Sequence, residues 1–115
     1  MNICLIGHGI PCMILANVLI NKNIKISIFD EYKSKNKFNT RTLGITKDNI
    51  DFLKQEKINI EKNAWPINNI KIFNDLYNNK EILNFGPLNH QLFSVIKYSQ
   101  FSDLLNENIK TNTYT

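Results

Sequence analysis

Apolar residues fill the chain from Ile3 to Ile20, interrupted only by Gly7, His8, Gly9, Pro11 and Asn17. The interruptions divide the run in two. Ile3-Cys4-Leu5-Ile6 has the length of a buried strand, and Ile10 to Ile20 has the length of a helix. That helix is apolar nearly all round, which suits one enclosed between a sheet and surrounding protein. Ile24 to Phe29 reads as a second strand and ends at Asp30. Glu31 to Asn39 is polar and lysine-rich and reads as a loop. Thr46 can cap a helix running to about Lys57, with Ile50, Leu53 and Lys57 on one face. Ala64-Trp65-Pro66-Ile67 reads as a connector. Ile70 to Phe73 alternates as a strand, Asn74 to Lys80 forms a hairpin-like turn, and Glu81 to Phe85 is the return strand. Gly86-Pro87 breaks the pattern. Leu92 to Lys97 reads as another strand. Ser99 to Ile109 is predicted helical, with Phe101, Leu104, Leu105 and Ile109 on its apolar side. Thr111 to Thr115 carries no packing signal and is expected to fray.

The opening order is strand, Gly7-His8-Gly9-Ile10-Pro11-Cys12, helix, strand, acid. That is how a Rossmann-type βαβ unit holds a dinucleotide. Gly7 lets the chain leave the strand in a turn that a side chain would obstruct. Gly9 leaves no Cβ where a pyrophosphate must approach the backbone. The N–H groups that follow, from Ile10 onward, and the positive end of the helix dipole face the phosphates. Asp30 follows Gly7 by 23 residues, near the spacing of about 20 expected of the acid that accepts ribose hydroxyls. Glu31 extends that acidic end. An acid here favours a free 2′-hydroxyl over a 2′-phosphate by charge repulsion. Cys12 replaces the third glycine, which normally allows close packing of helix on strand. Cysteine is small and apolar, so a modest outward shift absorbs it. Pro11 is tolerated in a first helical turn but removes one phosphate donor.

The same apolar run could be read as a signal peptide or a membrane helix. No basic region precedes it and no small-residue cleavage site follows. Its polar and glycine interruptions also leave it barely long enough to span a bilayer. At 115 residues the chain suits one domain with a modest core. The formal charge is +4, but the lysines are scattered among asparagines and acids with no aromatic-basic platform. The surface therefore reads as solvated, with no nucleic-acid footprint. Cys4 is expected in a buried strand and Cys12 in the turn, both as reduced packing residues. His8 and His90 have no partners spaced for metal or triad chemistry.

Beyond the fingerprint, the chain resembles the N-terminal part of flavin-dependent aromatic hydroxylases, most closely the ubiquinone-biosynthesis monooxygenases. Gly7, Gly9 and Asp30 match that family's opening unit, and Cys12 departs from it. Arg41-Thr42-Leu43-Gly44-Ile45 matches its Arg-x-x-Ala/Gly-Leu-like segment, which leads into a helix. Pro66-Ile67-x-x-Ile70-x-Ile72-x-x-Asp75 resembles a characteristic strand, and Phe93 to Leu105 resembles a strand and helix. The resemblance implies an α/β fold: a Rossmann-like FAD-binding βαβ unit at 1–30, with additional strands at 66–98. The whole of 1–115 would be a single N-terminal segment of an incomplete domain. It implies that Arg41 lies against the FAD. Members usually carry Arg just after the strand ending at Lys97; this chain has Tyr98-Ser99-Gln100 instead. The Asp-Gly and Gly-Asp motifs that members use for FAD and NAD(P)H occur nowhere in the sequence.

For the intact family enzyme, the resemblance implies FAD as cofactor and NAD(P)H as electron donor. The substrate would be a polyprenyl aromatic ring, hydroxylated with O2. The partners implied are a complementing polypeptide or other ubiquinone-biosynthesis proteins, in the cytoplasm and peripheral to the inner membrane. No residue here is an obvious catalytic acid or base, so the expected site residues are cofactor-binding only: Gly7, Gly9, Ile10, Asp30, Glu31 and Arg41. The alternatives are an NAD-binding oxidoreductase domain and a non-catalytic truncated remnant. A parallel sheet lacking its later strands would expose unpaired edges and apolar faces.

Overall fold

The computed structural model describes residues 1–31, 40–76, 78–89 and 91–111. Most of the expected lysine-rich loop and the tail after Thr111 lie outside them. β1 (Asn2–Ile6) and β2 (Lys25–Phe29) form a two-stranded parallel sheet, with Ile6 opposite Phe29. α1 (Ile10–Asn21) makes the crossover. It stops where Asn23 enters the left-handed region at φ 59°. There the Ile24 N–H donates to the Leu19 carbonyl at 3.0 Å. Asparagine accepts that backbone geometry at little cost, so it ends the helix cleanly.

A second sheet is antiparallel, in the order β3 (Thr42–Thr46), β7 (Phe93–Lys97), β4 (Ala64–Ile67). Here the structure departs from the sequence reading. Ala64–Ile67 is a strand and not a connector, paired to β7 with Pro66 opposite Ser94. The strand tolerates proline because β4 lies at the sheet edge, where a missing N–H breaks no second ladder. Thr42–Thr46 is likewise a strand, formed by the arginine segment itself and leading directly into the next helix.

α2 (Lys47–Gln55) begins at Thr46, whose hydroxyl accepts the Asn49 N–H at 3.3 Å. It ends two residues short of the expected boundary. Lys57 is left-handed at φ 64° and exposed, so it does not extend the apolar face. The Ile58 N–H returns to the Leu53 carbonyl at 2.8 Å. That closure delivers Ile58 and Ile60 to the core, where both are essentially buried. α3 (Tyr98–Thr111) follows β7 directly and packs along α1.

Leu5, Ile26, Met13, Ala16, Ile45, Ile96, Phe101 and Leu105 belong to one buried cluster. Asn17, the polar interruption in the apolar run, is buried within it. Its amide donates to the Met13 carbonyl at 2.7 Å and to the Leu105 carbonyl at 3.2 Å. A buried amide held this way joins α1 to α3, where an unsatisfied one would be costly.

The other face of the parallel sheet is open. Cys4, expected in a buried strand, is exposed, and Ile6 and Phe29 are 87% and 61% accessible. α1 covers one side of β1–β2, and among the described residues nothing covers the other. β5 (Ile70–Asn74) and β6 (Lys80–Phe85) form the expected hairpin, with a bulge between Ile72 and Phe73. It packs mainly on itself, and the Cα radius of gyration is 17.9 Å, against about 13 Å for a compact chain of this length.

Gly86 anchors the hairpin's return. Its φ is +121°, and a Cβ there would stand 2.5 Å from the Asn68 carbonyl oxygen. The Leu88 N–H donates to that same oxygen at 3.0 Å. Gly86→Ala is therefore expected to destabilise the chain by roughly 1–3 kcal/mol, from backbone strain and the displaced carbonyl. Urea unfolding measures this, and an unchanged midpoint would show that the hairpin root relaxes freely.

Candidate functional site

β1 delivers the chain to Gly7, whose N–H donates to the Phe29 carbonyl at 2.8 Å. This bond closes the turn against the end of β2 and places Asp30 beside it. Gly7 has φ +110°, a conformation that side-chain-bearing residues rarely adopt. Gly9 differs. It is the N-cap of α1 with φ −75°, and a Cβ there would meet only Pro11 Cδ, at 3.8 Å. Nothing within the described fold requires glycine at position 9.

The N-terminus of α1 is bare in the ways that matter for an anion. Gly9 offers no side-chain cap, and the first turn contains no acid. The Met13 N–H is satisfied by the Gly9 carbonyl at 3.0 Å, while Pro11 has no N–H to offer. Ile10, half-buried, opens the helix next to that end. The helix dipole thus points a partial positive charge into the space before Gly9.

Cys12, standing where the fingerprint's third glycine belongs, turns its thiol back to the Gly7 carbonyl, with Sγ 3.1 Å away. Burial, and secondarily the Asp30 charge, push that thiol above its ordinary pKa. The thiol therefore stays protonated at neutral pH and remains a donor to the turn. The same influence places the Asp30 charge within electrostatic reach of the α1 N-terminus.

His8, between the two glycines, pairs its Nε2 with Asn106 Oδ1 on α3 at 2.8 Å. The Asn106 amide donates to the Ser102 carbonyl at 3.0 Å. The turn is thus tied to α3, a connection the sequence alone does not announce. Asp30 and Glu31 sit together at the exposed end of β2. Arg41 lies at the start of β3, and its carbonyl accepts the Tyr98 N–H at 2.9 Å. Its guanidinium carbon is 5.1 Å from the Tyr98 ring centre.

Gly7, Gly9, Ile10 and Asp30 are thus gathered at one end of the parallel pair, with Glu31 following. Arg41 belongs to the second sheet. It connects to the first group through α3, which carries Tyr98 at its start and Asn106 eight residues on, about 12 Å along the axis. Beside the turn is an apolar cavity of about 360 Å³, lined among others by Ile10, Ile14, Leu43, Gly44, Phe52 and Phe101. The periodicity of the sequence marks these residues as apolar but cannot show that α1, β3, α2 and α3 leave a gap between them. No helix among the described residues is long and apolar enough to cross a membrane.

No protein-family model and no curated protein matches the sequence. Solved structures do. A mutant of 2-methyl-3-hydroxypyridine-5-carboxylic acid oxygenase superposes with a TM-score of 0.79 at 10% identity, over 97% of this chain and 30% of that one. A protein described as an FAD containing monooxygenase, from Photorhabdus luminescens subsp. laumondii, gives a TM-score of 0.74 at 17% identity, over 97% and 29%. The 2,6-dihydroxypyridine-3-hydroxylase of Arthrobacter nicotinovorans gives 0.69 at 10%, over 92% and 26%. The chain has the α/β fold of one part of these oxygenating enzymes. It spans less than a third of their length.

Proposed function

We propose that the chain is the FAD-binding segment of an FAD-dependent monooxygenase that hydroxylates an aromatic ring. One observation carries the reading. The α1 N-terminus is uncapped behind Gly9, a glycine that the fold has no steric need for and a bound pyrophosphate does. The residues present fit the cofactor. Gly7 shapes the turn and His8 ties it to α3. Gly9 and the Ile10 N–H face the pyrophosphate. Asp30, with Glu31 behind it, accepts the ribose hydroxyls, and Arg41 supplies a positive charge toward the phosphates or the flavin. FAD, when bound, supplies the redox chemistry with O2. The chain's own residues bind and orient it, and none of them acts as an acid or base on the substrate.

The finer assignment rests on the resemblance of the Arg41–Ile45 and Pro66–Asp75 segments to ubiquinone-biosynthesis hydroxylases. It gives NAD(P)H as electron donor and a polyprenyl aromatic ring as substrate. Such a substrate would bring a cytoplasmic enzyme to the inner-membrane surface. The matched structures include enzymes named for hydroxypyridine compounds, which supports an aromatic ring as the substrate class. The exposed Cys4, Ile6 and Phe29 on one face of the parallel sheet support a complementing polypeptide that packs against that face.

Gly9→Ala tests the reading. The helix cap should change stability by at most about 1 kcal/mol, while FAD affinity, read by flavin fluorescence or calorimetry, should fall at least about tenfold as the methyl group displaces the phosphate. Equal FAD affinity in the variant would remove the pyrophosphate from this turn. Binding of NAD in place of FAD by the parent chain would shift the reading to a nicotinamide-linked oxidoreductase.

A further inference from the structure

We propose that Asn106 is a positioning residue that acts through His8 to hold the glycine turn in the shape a pyrophosphate needs, an inference that rests on the FAD-binding reading above. Three elements hold the turn. β2 holds Gly7 by its N–H, which donates to the Phe29 carbonyl at 2.8 Å. α1 holds Gly7 by its carbonyl, which accepts the Cys12 thiol at 3.1 Å. α3 holds the residue between the glycines, with His8 Nε2 2.8 Å from Asn106 Oδ1. Both main-chain groups of Gly7 are thus engaged, whereas no carbonyl among the described residues accepts the N–H groups of His8, Gly9 or Ile10. These three N–H groups are consecutive, the arrangement in which a turn takes an anion.

The bonding of Asn106 fixes which atom donates. Its amide nitrogen donates to the Ser102 carbonyl at 3.0 Å and lies 3.5 Å from the Ser102 hydroxyl, which leaves Oδ1 as the acceptor. The proton of the tie is therefore on His8 Nε2, and the tie holds whether or not Nδ1 carries a proton. Asn106 is itself placed by its neighbour. The carbonyl of Leu105, the residue before it, accepts the buried Asn17 amide of α1 at 3.2 Å. α3 is thus bonded both to α1 and to the turn from which α1 starts, and it braces one against the other. Glycines at 7 and 9 give the backbone more freedom than other residues would. A tie at the residue between them removes part of that freedom before the anion arrives, and ordering done in advance is not charged against binding.

The test is the affinity of the full chain for FAD and for ADP, which keeps the pyrophosphate and lacks the flavin. Calorimetry measures both for the parent, His8→Ala, Asn106→Ala and the double variant His8→Ala/Asn106→Ala. His8 is exposed, so its truncation leaves the core intact. Each single variant should weaken both ligands about two- to tenfold, the factor that a hydrogen bond of ordinary strength supplies. The double variant should bind no more weakly than the weaker single one, because either substitution alone breaks the tie. A purely structural tie would shift the urea midpoint of the unliganded chain and leave both affinities unchanged. That result overturns the inference while the cofactor reading stands. Losses that multiply in the double variant would overturn it too, because the two residues would then act separately. So would a loss seen with FAD and not with ADP, or a parent chain that binds FAD and not ADP, since the pyrophosphate would then not be what the turn holds. If the parent chain binds neither ligand, the cofactor reading fails and this inference fails with it.

Discussion

Phe101→Ala should lower the unfolding free energy by about 3–5 kcal/mol, the range for deleting a buried aromatic side chain. Phe101 is 2% exposed, on the first turns of α3, within the cluster that includes Met13, Ile45, Ile96 and Leu105. It lines one cavity with Ile10 and Ile14 of α1 and Leu43 and Ile45 of β3, so its loss should loosen the βαβ unit and the antiparallel sheet together. The space vacated would join that cavity, and the lining residues belong to four different elements, so collapse around it is hindered. With typical domain stabilities of about 5–15 kcal/mol, the loss is a large fraction of the total, and the variant should unfold at clearly lower urea concentration than the parent. Circular dichroism with urea titration measures it. A loss under about 1 kcal/mol would mean that α3 does not hold the two sheets together.

Asp30→Ala should weaken FAD binding by on the order of 1–3 kcal/mol, through lost charge-assisted hydrogen bonds to the ribose. The carboxylate is exposed at the end of β2, so the fold should barely register its loss. Gly7 remains bonded to the Phe29 carbonyl in the variant, because that bond is main chain to main chain. A change in affinity at constant stability separates a ligand contact from a structural one. Asp30→Asn should fall between the two, since the amide keeps an acceptor and loses the charge. Unchanged FAD affinity in Asp30→Ala would remove the ribose role from this residue.

The first thirty residues were legible because their signals are local. Apolar runs of strand and helix length flank two glycines, and an acid follows at the right distance. Those features act within one turn or along one helix, and the observed βαβ unit follows them. Thr46 as a helix cap, the Ile70–Phe85 hairpin and the apolar face of α3 were legible for the same reason. Three expectations failed for non-local reasons. Ala64–Ile67 reads as a connector until β7 offers it a partner, since proline weakens the intrinsic strand signal and only an edge position excuses it. Lys57 continues the helical face in the sequence pattern, but the left-handed closure turns the chain toward Ile58 and Ile60. Cys4 looks buried because both faces of a parallel strand are usually covered, and here one face is open.

The candidate site divides the same way. The sequence by itself determined the glycine turn, the acid beyond it and the helix that follows, because backbone conformation and short spacing fix them. Tertiary structure alone decided that His8 reaches Asn106, that the Cys12 thiol returns to Gly7, and that Arg41 lies over Tyr98. Each of these contacts joins residues whose approach depends on strand pairing or helix packing. No propensity of either residue encodes that approach, since it is the sum of many weak contacts made elsewhere in the fold.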